Sequence, residues 1–200
     1  MIDVDYRQIL PDLQAPWLTE IRLTKRAKDL VRDSQAVHRT LAHAVGETAL
    51  WALPTPGLLI VQASKPIRPD DMPGVIQMAA ARPKPTRFGT GQTIEIAGIV
   101  NPTKAIASAR GTRGKITHLQ PDEWAAWAER KLGCITIRSL DMRHQGTHVG
   151  RRHGMQTRHM LVSMRAVGTV RDADALEQIL VSGIGRGKAY GAGLIMAEAQ

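Results

Sequence analysis

Apolar and polar positions alternate from Trp17 onward: Ile21 and Leu23 are interleaved with Glu20, Arg22 and Thr24, the period-two pattern of a strand with one buried face. The period then lengthens. From residue 34 to about 45, Val37, Leu41, Ala44 and Val45 recur at helical spacing, which predicts a helix whose first-turn amides Asp33 or Ser34 can cap and which Gly46 stops. Further strands are predicted at residues 49 to 53, 58 to 63, 75 to 78 and 93 to 100, divided by Pro and Gly. Pro121 opens a second helix, with Asp122 and Glu123 suited to the positive end of its dipole. Trp124, Trp127, Ala128 and Leu132 share one face of it, and Gly133 ends it. Strands at 134 to 140 and 160 to 170, a helix at 173 to 182 and a last strand at 193 to 197 complete the pattern.

This order is that of an α+β protein built from two tandem ferredoxin-like (RRM-like) halves, each an antiparallel sheet with helices on one face. The expected division is an N-terminal extension over residues 1 to 16, an N-terminal half over 17 to 105 and a C-terminal half over 115 to 200. A single continuous α+β domain is the alternative.

Charge sharpens the picture. Lys and Arg outnumber Asp and Glu by 27 to 18 in 200 residues, and the excess is regional. No acidic residue occurs from Met142 to Arg171, where Arg143, Arg151, Arg152, Arg158 and Arg165 lie, nor from Ile96 to Pro121, which holds Lys104, Arg110, Arg113 and Lys115. Such runs point to a polyanionic partner. The single cysteine, Cys134, excludes an internal disulfide framework, and no apolar run approaches a membrane span. With no signal-peptide pattern at the N-terminus, a cytoplasmic protein with no membrane association is expected.

Near the C-terminus stand five glycines, Gly183, Gly185, Gly187, Gly191 and Gly193, interspersed with Arg186, Lys188 and Tyr190. A Walker loop is excluded, because Ser182 occupies its first glycine position and Ala189 its metal-binding hydroxyl position. A dinucleotide fingerprint is excluded as well, since these glycines follow a helix and precede a strand. The segment resembles the C-terminal glycine-rich loop of the repeat-associated RNA-binding superfamily of CRISPR proteins, and most of all that of the CasE family. Three further motifs occur in the same order as in that family: Trp17-Leu18-Thr19-Glu20-Ile21-Arg22-Leu23, Arg32-Asp33-Ser34-Gln35-Ala36-Val37-His38-Arg39-Thr40-Leu41 and Asn101-Pro102-Thr103-Lys104.

The resemblance implies a metal-independent endoribonuclease that binds the CRISPR repeat hairpin in precursor CRISPR RNA. It implies cleavage by 2′-hydroxyl attack, leaving a 2′,3′-cyclic phosphate and a 5′-hydroxyl, and retention of the mature CRISPR RNA with other Cascade subunits. By position, the family's catalytic histidine is His38, whose ordinary pKa near neutrality suits proton transfer. Arg39 or Lys25 is expected to stabilise the phosphorane. Many family members carry Tyr three residues before this histidine, whereas this chain has Gln35, whose amide orients a phosphate but cannot exchange a proton. A non-catalytic RNA-binding subunit of the same superfamily is the alternative.

Between the strands at 134 to 140 and 160 to 170 lies a basic hairpin or loop suited to an RNA stem. The residues expected to hold RNA are Arg143, Arg151, Arg152, Arg158, Lys104, Arg113, Lys115, Arg186 and Lys188. Histidines 144, 148, 153 and 159 fall at irregular spacing and bring no carboxylate beyond Asp141, so no metal and no cofactor are expected. Aromatic residues make up only 4% of the chain, which favours recognition of helix shape and phosphates over base stacking.

Overall fold

The computed structural model describes residues 15–47, 49–106, 115–152 and 155–200, with backbone alone at Lys28, Arg151, Arg152 and Met155. Most of the expected N-terminal extension, Arg110, Arg113 and His153, and the side chains of Arg151 and Arg152 lie outside the described residues.

In the first half, β1 (Trp17–Leu23) leads through a short α1 (Lys28–Arg32) into α2 (Ser34–Val45), followed by β2 (Leu50–Thr55), β3 (Leu58–Ala63) and β4 (Ile76–Pro83). The strands form one sheet in the order β2-β3-β1-β4, with antiparallel neighbours throughout. The helix begins where expected because the Asp33 carboxylate accepts from the Gln35 amide, and it ends at Gly46 in the left-handed region. Val37, Leu41 and Val45 on one face of α2 pack over Ile21, Trp51, Leu59 and Val61.

The second half repeats the plan. Here β5 (Thr93–Val100), α3 (Trp124–Lys131), β8 (Ile135–Arg152), β9 (Met155–Val170), α4 (Ala173–Ser182) and β10 (Ile195–Ala199) give a sheet ordered β10-β5-β9-β8. Strands β6 (Thr103–Ile106) and β7 (Lys115–His118) form a separate two-stranded arm. Trp124, Trp127, Leu132, Leu176 and Leu180 cover Ile94, Ile96, Val162 and Met164. In both halves the order is that of a ferredoxin-like sheet.

One expectation is corrected by this pairing. Residues 93 to 100 were grouped with the N-terminal half, but β5 pairs with β9 and β10, so the chain changes sheet between Pro83 and Thr93. Both faces of β5 are needed there: Ile94 and Ile96 fill the second core, while Ile99 meets Leu18, Ala52 and Ile60 of the first sheet together with Leu161 and Leu194. That third cluster joins the halves, each fully buried aliphatic side chain in it contributing about 1.5 to 3 kcal/mol.

A polar clamp sits on the same junction. Lys84, between β4 and β5, is buried and donates from Nζ to Gln62 Oε1 and to the Leu180 carbonyl at the end of α4, both at 2.5 Å. Gln62 in turn donates to the Val181 carbonyl at 2.6 Å. Burial pushes the Lys84 ammonium down to about 7.

The basic segment is a ribbon rather than a loop. β8 and β9 stay paired from Ile135 and Val170 out to Arg152 and Met155, with register shifts only at Ile137/Ser139 and His144/Gly146.

Candidate functional site

The N-terminal turns of α2 face the second half of the molecule. Ser34 Oγ donates to the Val149 carbonyl on β8 at 2.9 Å, and His38, four residues on, lies on the same face of the helix. His38 is half-buried, and its Nδ1 has no hydrogen-bond partner. Burial, and secondarily the neighbouring Arg39 guanidinium, hold its pKa below the ordinary histidine value, so the neutral imidazole predominates at neutral pH. Gln35 is half-buried on the first turn, and Arg39 is exposed beside His38.

Opposite α2 runs the glycine-rich segment. All five of its glycines adopt positive φ. Gly191 and Gly193 show why no side chain fits. A Cβ on Gly191 would come within 2.7 Å of the buried Trp51 ring, and one on Gly193 within 2.5 Å of the Ile184 carbonyl. The segment is pinned to the end of β5 by the Gly193 amide, which donates to the Ile99 carbonyl. Between Gly187 and Gly191 it makes a single 3₁₀ turn, Lys188–Tyr190, that packs on α2.

This turn is the hub of a chain of rings. Trp51 stacks on His148 with centroids 5.9 Å apart, and His148 Nδ1 donates to the Tyr190 carbonyl at 2.9 Å. The Tyr190 ring stacks on His159 at 3.8 Å. Asn101 then joins two imidazoles. Its amide nitrogen lies 3.4 Å from His159 Nδ1, and its Oδ1 accepts from His118 Nδ1 at 3.1 Å. With the amide donating to Nδ1, the His159 proton is on Nε2. Burial, then the charges of His118 and His148, lower the His159 pKa. Among the described residues, the buried side-chain polar atoms without a partner are His38 Nδ1, Trp51 Nε1 and His159 Nε2. All three belong to the helix and rings around this loop. An unmet buried polar atom costs about 1 to 3 kcal/mol, and such groups concentrate where a site binds something.

Beyond His159 opens a cleft of about 1010 Å³ between β7, β9 and the glycine-rich segment. Lys115, Arg158, Arg186 and Lys188 line it with His118 and His159, and no carboxylate does. Lys188 is partly committed, because its Nζ donates to the Ser182 carbonyl at 2.5 Å.

The remaining expected site residues lie elsewhere. Lys104 on β6 pairs with Glu123, and Arg143 pairs with Asp141 at 2.9 Å. Lys25 lines a separate hollow with Leu53 and Gly57. Among the described residues, no group of three His, Cys, Asp or Glu is arranged to hold a metal ion. No described helix is long and apolar enough to cross a membrane. Sequence reasoning did not identify Asn101, His118 or Tyr190 as neighbours within a site, and it considered His148 and His159 only as metal ligands. Asn101 stood in a recognised motif, but nothing local ties it to His118 or His159.

The sequence pattern of a family described as CRISPR associated protein matches residues 16–198. The chain belongs to this CRISPR-associated family. A comparison with curated protein sequences gave no match. Among solved structures, this CRISPR-associated protein is similar to the CRISPR endoribonuclease Cse3 bound to a 19-nucleotide RNA. The identity is 25% and the TM-score 0.80, with 92% of this chain and 100% of that one covered. It shares its fold with Cas6e from Escherichia coli K-12, at 20% identity and TM-score 0.72, with 92% and 100% covered. A chain of a CRISPR RNA-guided surveillance complex matches at 23% identity and TM-score 0.69, again with 92% and 100% covered. The fold of this CRISPR-associated protein is therefore that of the CasE type, two ferredoxin-like halves joined face to face.

Proposed function

We propose that this protein is a metal-independent endoribonuclease that grips the CRISPR repeat hairpin and cuts precursor CRISPR RNA. It then stays on the product as a subunit of a Cascade surveillance complex. The observation that carries this reading is the meeting of two features: a carboxylate-free cleft walled by Lys115, Arg158, Arg186 and Lys188, and the α2 face bearing His38, packed on the same glycine-rich turn. A cleft of one charge sign attracts a polyanion and orients it through its phosphates. The similarity to an RNA-bound endoribonuclease supports RNA as that polyanion.

In this reading the neutral His38 imidazole takes the proton of the ribose 2′-hydroxyl. The 2′ oxygen bonds to phosphorus, the P–O5′ bond breaks, the departing 5′ oxygen takes a proton from solvent, and the His38 imidazolium later returns its proton to solvent. The products are a 2′,3′-cyclic phosphate and a 5′-hydroxyl. Arg39 is near enough to depress the His38 pKa and supplies positive charge beside the developing phosphorane. Arg158, Arg186 and Lys115 hold the stem strand in register. Lys104 and Arg143, each paired with a carboxylate, are left to peripheral backbone contacts. Lys25 serves RNA backbone contact instead of chemistry, given its separate hollow.

The test is incubation of the protein with its cognate repeat RNA in excess chelator. Cleavage to products ending in a 2′,3′-cyclic phosphate supports the proposal. Tight retention without cleavage favours the non-catalytic subunit, a reading that rests on Gln35. Salt-sensitive binding without preference for the hairpin rejects both.

A further inference from the structure

Transfer of a phosphoryl centre to a neighbouring hydroxyl puts negative charge on the nonbridging oxygens, and a neutral hydrogen-bond donor fixed beside them lowers the barrier. Tyr190 stands beside the helix that carries His38. It lies in the 3₁₀ turn that packs on α2. The point where a Cβ of Gly150 would stand is 2.6 Å from Tyr190 Cε1 and 3.2 Å from Ser34 Oγ. The outer part of the ring is thus within about 6 Å of the first turn of the helix whose next turn carries His38 on the same face, one turn being about 5.4 Å.

The ring is also held firmly. His159 stacks against it at 3.8 Å, its backbone carbonyl receives His148 Nδ1–H, and its amide donates to the Gly187 carbonyl at 2.8 Å. Gly150 leaves the ring its room, since any larger residue would collide with Cε1 and Cδ1. Among the described residues, nothing engages the phenol oxygen, while every other part of the residue is fixed. A side chain ordered by stacking and backbone contacts whose one polar atom stays free is arranged to meet a ligand.

We propose that the Tyr190 hydroxyl donates a hydrogen bond to one nonbridging oxygen of the phosphate that His38 acts upon, which makes Tyr190 a further catalytic residue. His159 is a positioning residue behind it, itself held by Asn101 and, through Asn101, by His118. No proton is transferred by Tyr190 in this role. It stabilises charge while His38 handles the 2′ proton. The inference rests on the endoribonuclease reading above and adds the group that contacts the reacting phosphate.

The test compares wild type and Tyr190→Phe in single-turnover cleavage of the cognate repeat hairpin. The scissile phosphate is either normal or replaced by each phosphorothioate diastereomer. The phenylalanine ring keeps the stack on His159, and binding of an uncleavable 2′-deoxy hairpin reports the fold. Cleavage of the normal phosphate should fall on the order of 10- to 100-fold, as loss of one charge-assisted donor implies, with affinity for the 2′-deoxy hairpin unchanged. Because sulfur accepts hydrogen bonds poorly, one diastereomer should slow the wild type, and this effect should shrink toward unity in Tyr190→Phe. A merely structural role would not move that ratio. Unchanged cleavage by Tyr190→Phe, or equal sulfur effects in the two proteins for both diastereomers, overturns the inference and leaves the endoribonuclease reading standing. A wild type that binds the hairpin and never cuts it overturns both.

Discussion

Replacing Gly191 by Ala tests whether the glycine-rich turn is fixed by its packing. The variant faces two obstacles: a left-handed backbone at φ +82°, and a Trp51 ring whose Cζ3, Cη2 and Cε3 would lie 2.7 to 3.1 Å from the new Cβ. Gly46→Ala is the matching control, because Gly46 has φ +77° and nothing within 4 Å of its Cβ position. The backbone strain, about 1 to 2 kcal/mol, is common to both variants. Trp51 is only 1% exposed and cannot swing away, so overpacking should add about 1 to 3 kcal/mol at Gly191 alone. In urea unfolding this difference separates the two midpoints by on the order of 1 M. Gly191→Ala should also cut more slowly, because the Tyr190 carbonyl is displaced from His148, while Gly46→Ala should cut normally when folded. Equal stability losses in the two variants, within about 0.5 kcal/mol, would refute the claim that Trp51 sets the position of the turn.

The Lys84 clamp makes stability depend on pH with a definite sign. Between its folded value of about 7 and the unfolded value near 10.4, the unfolded chain holds a proton that the folded one has released. Stability therefore rises across that window by at most about 1.4 kcal/mol per pH unit; in Lys84→Met, the dependence of the urea midpoint on pH should flatten there, and an unaltered slope contradicts the account. For His38, the active neutral form gives a rate that rises with pH to a plateau, with its midpoint below that of an ordinary histidine. Arg39→Gln should move this midpoint upward, since a cation that depresses the pKa has been removed, and a midpoint that stays or falls counts against the assignment. Combined Ala replacement of Lys115, Arg158 and Arg186 should weaken hairpin binding and reduce the salt dependence by on the order of 0.7 to 0.9 in log–log slope per lost phosphate contact. A wild-type slope would remove the cleft from the RNA path.

Residues differ sharply in how much of this was readable from sequence. Helix α2 announced itself through Asp33, the Val37-Leu41-Val45 stripe and Gly46, all local signals that the structure reproduces. The extent of strand over residues 142–152 and 155–159 did not, because their polar residues leave no alternation to read between hairpin and loop, and the strand character comes from cross-strand pairing. The sheet membership of β5 was equally hidden, since its partners, Arg165 on β9 and Ile195 on β10, are far off in sequence. The same limit applies to the site. His38 was singled out by its motif and by its place beside Val37. The contacts from Trp51 through His148, Tyr190, His159 and Asn101 to His118 join six separate segments and leave no spacing pattern in the chain.

The most direct test of the central claim is single-turnover cleavage of the cognate repeat hairpin in excess chelator by wild type and His38→Ala, with binding measured in parallel on the 2′-deoxy hairpin. Loss of a positioned proton-transfer group should lower the rate by about two to four orders of magnitude while affinity changes little. A folded His38→Ala protein that binds the hairpin and cuts it at the wild-type rate would contradict the account.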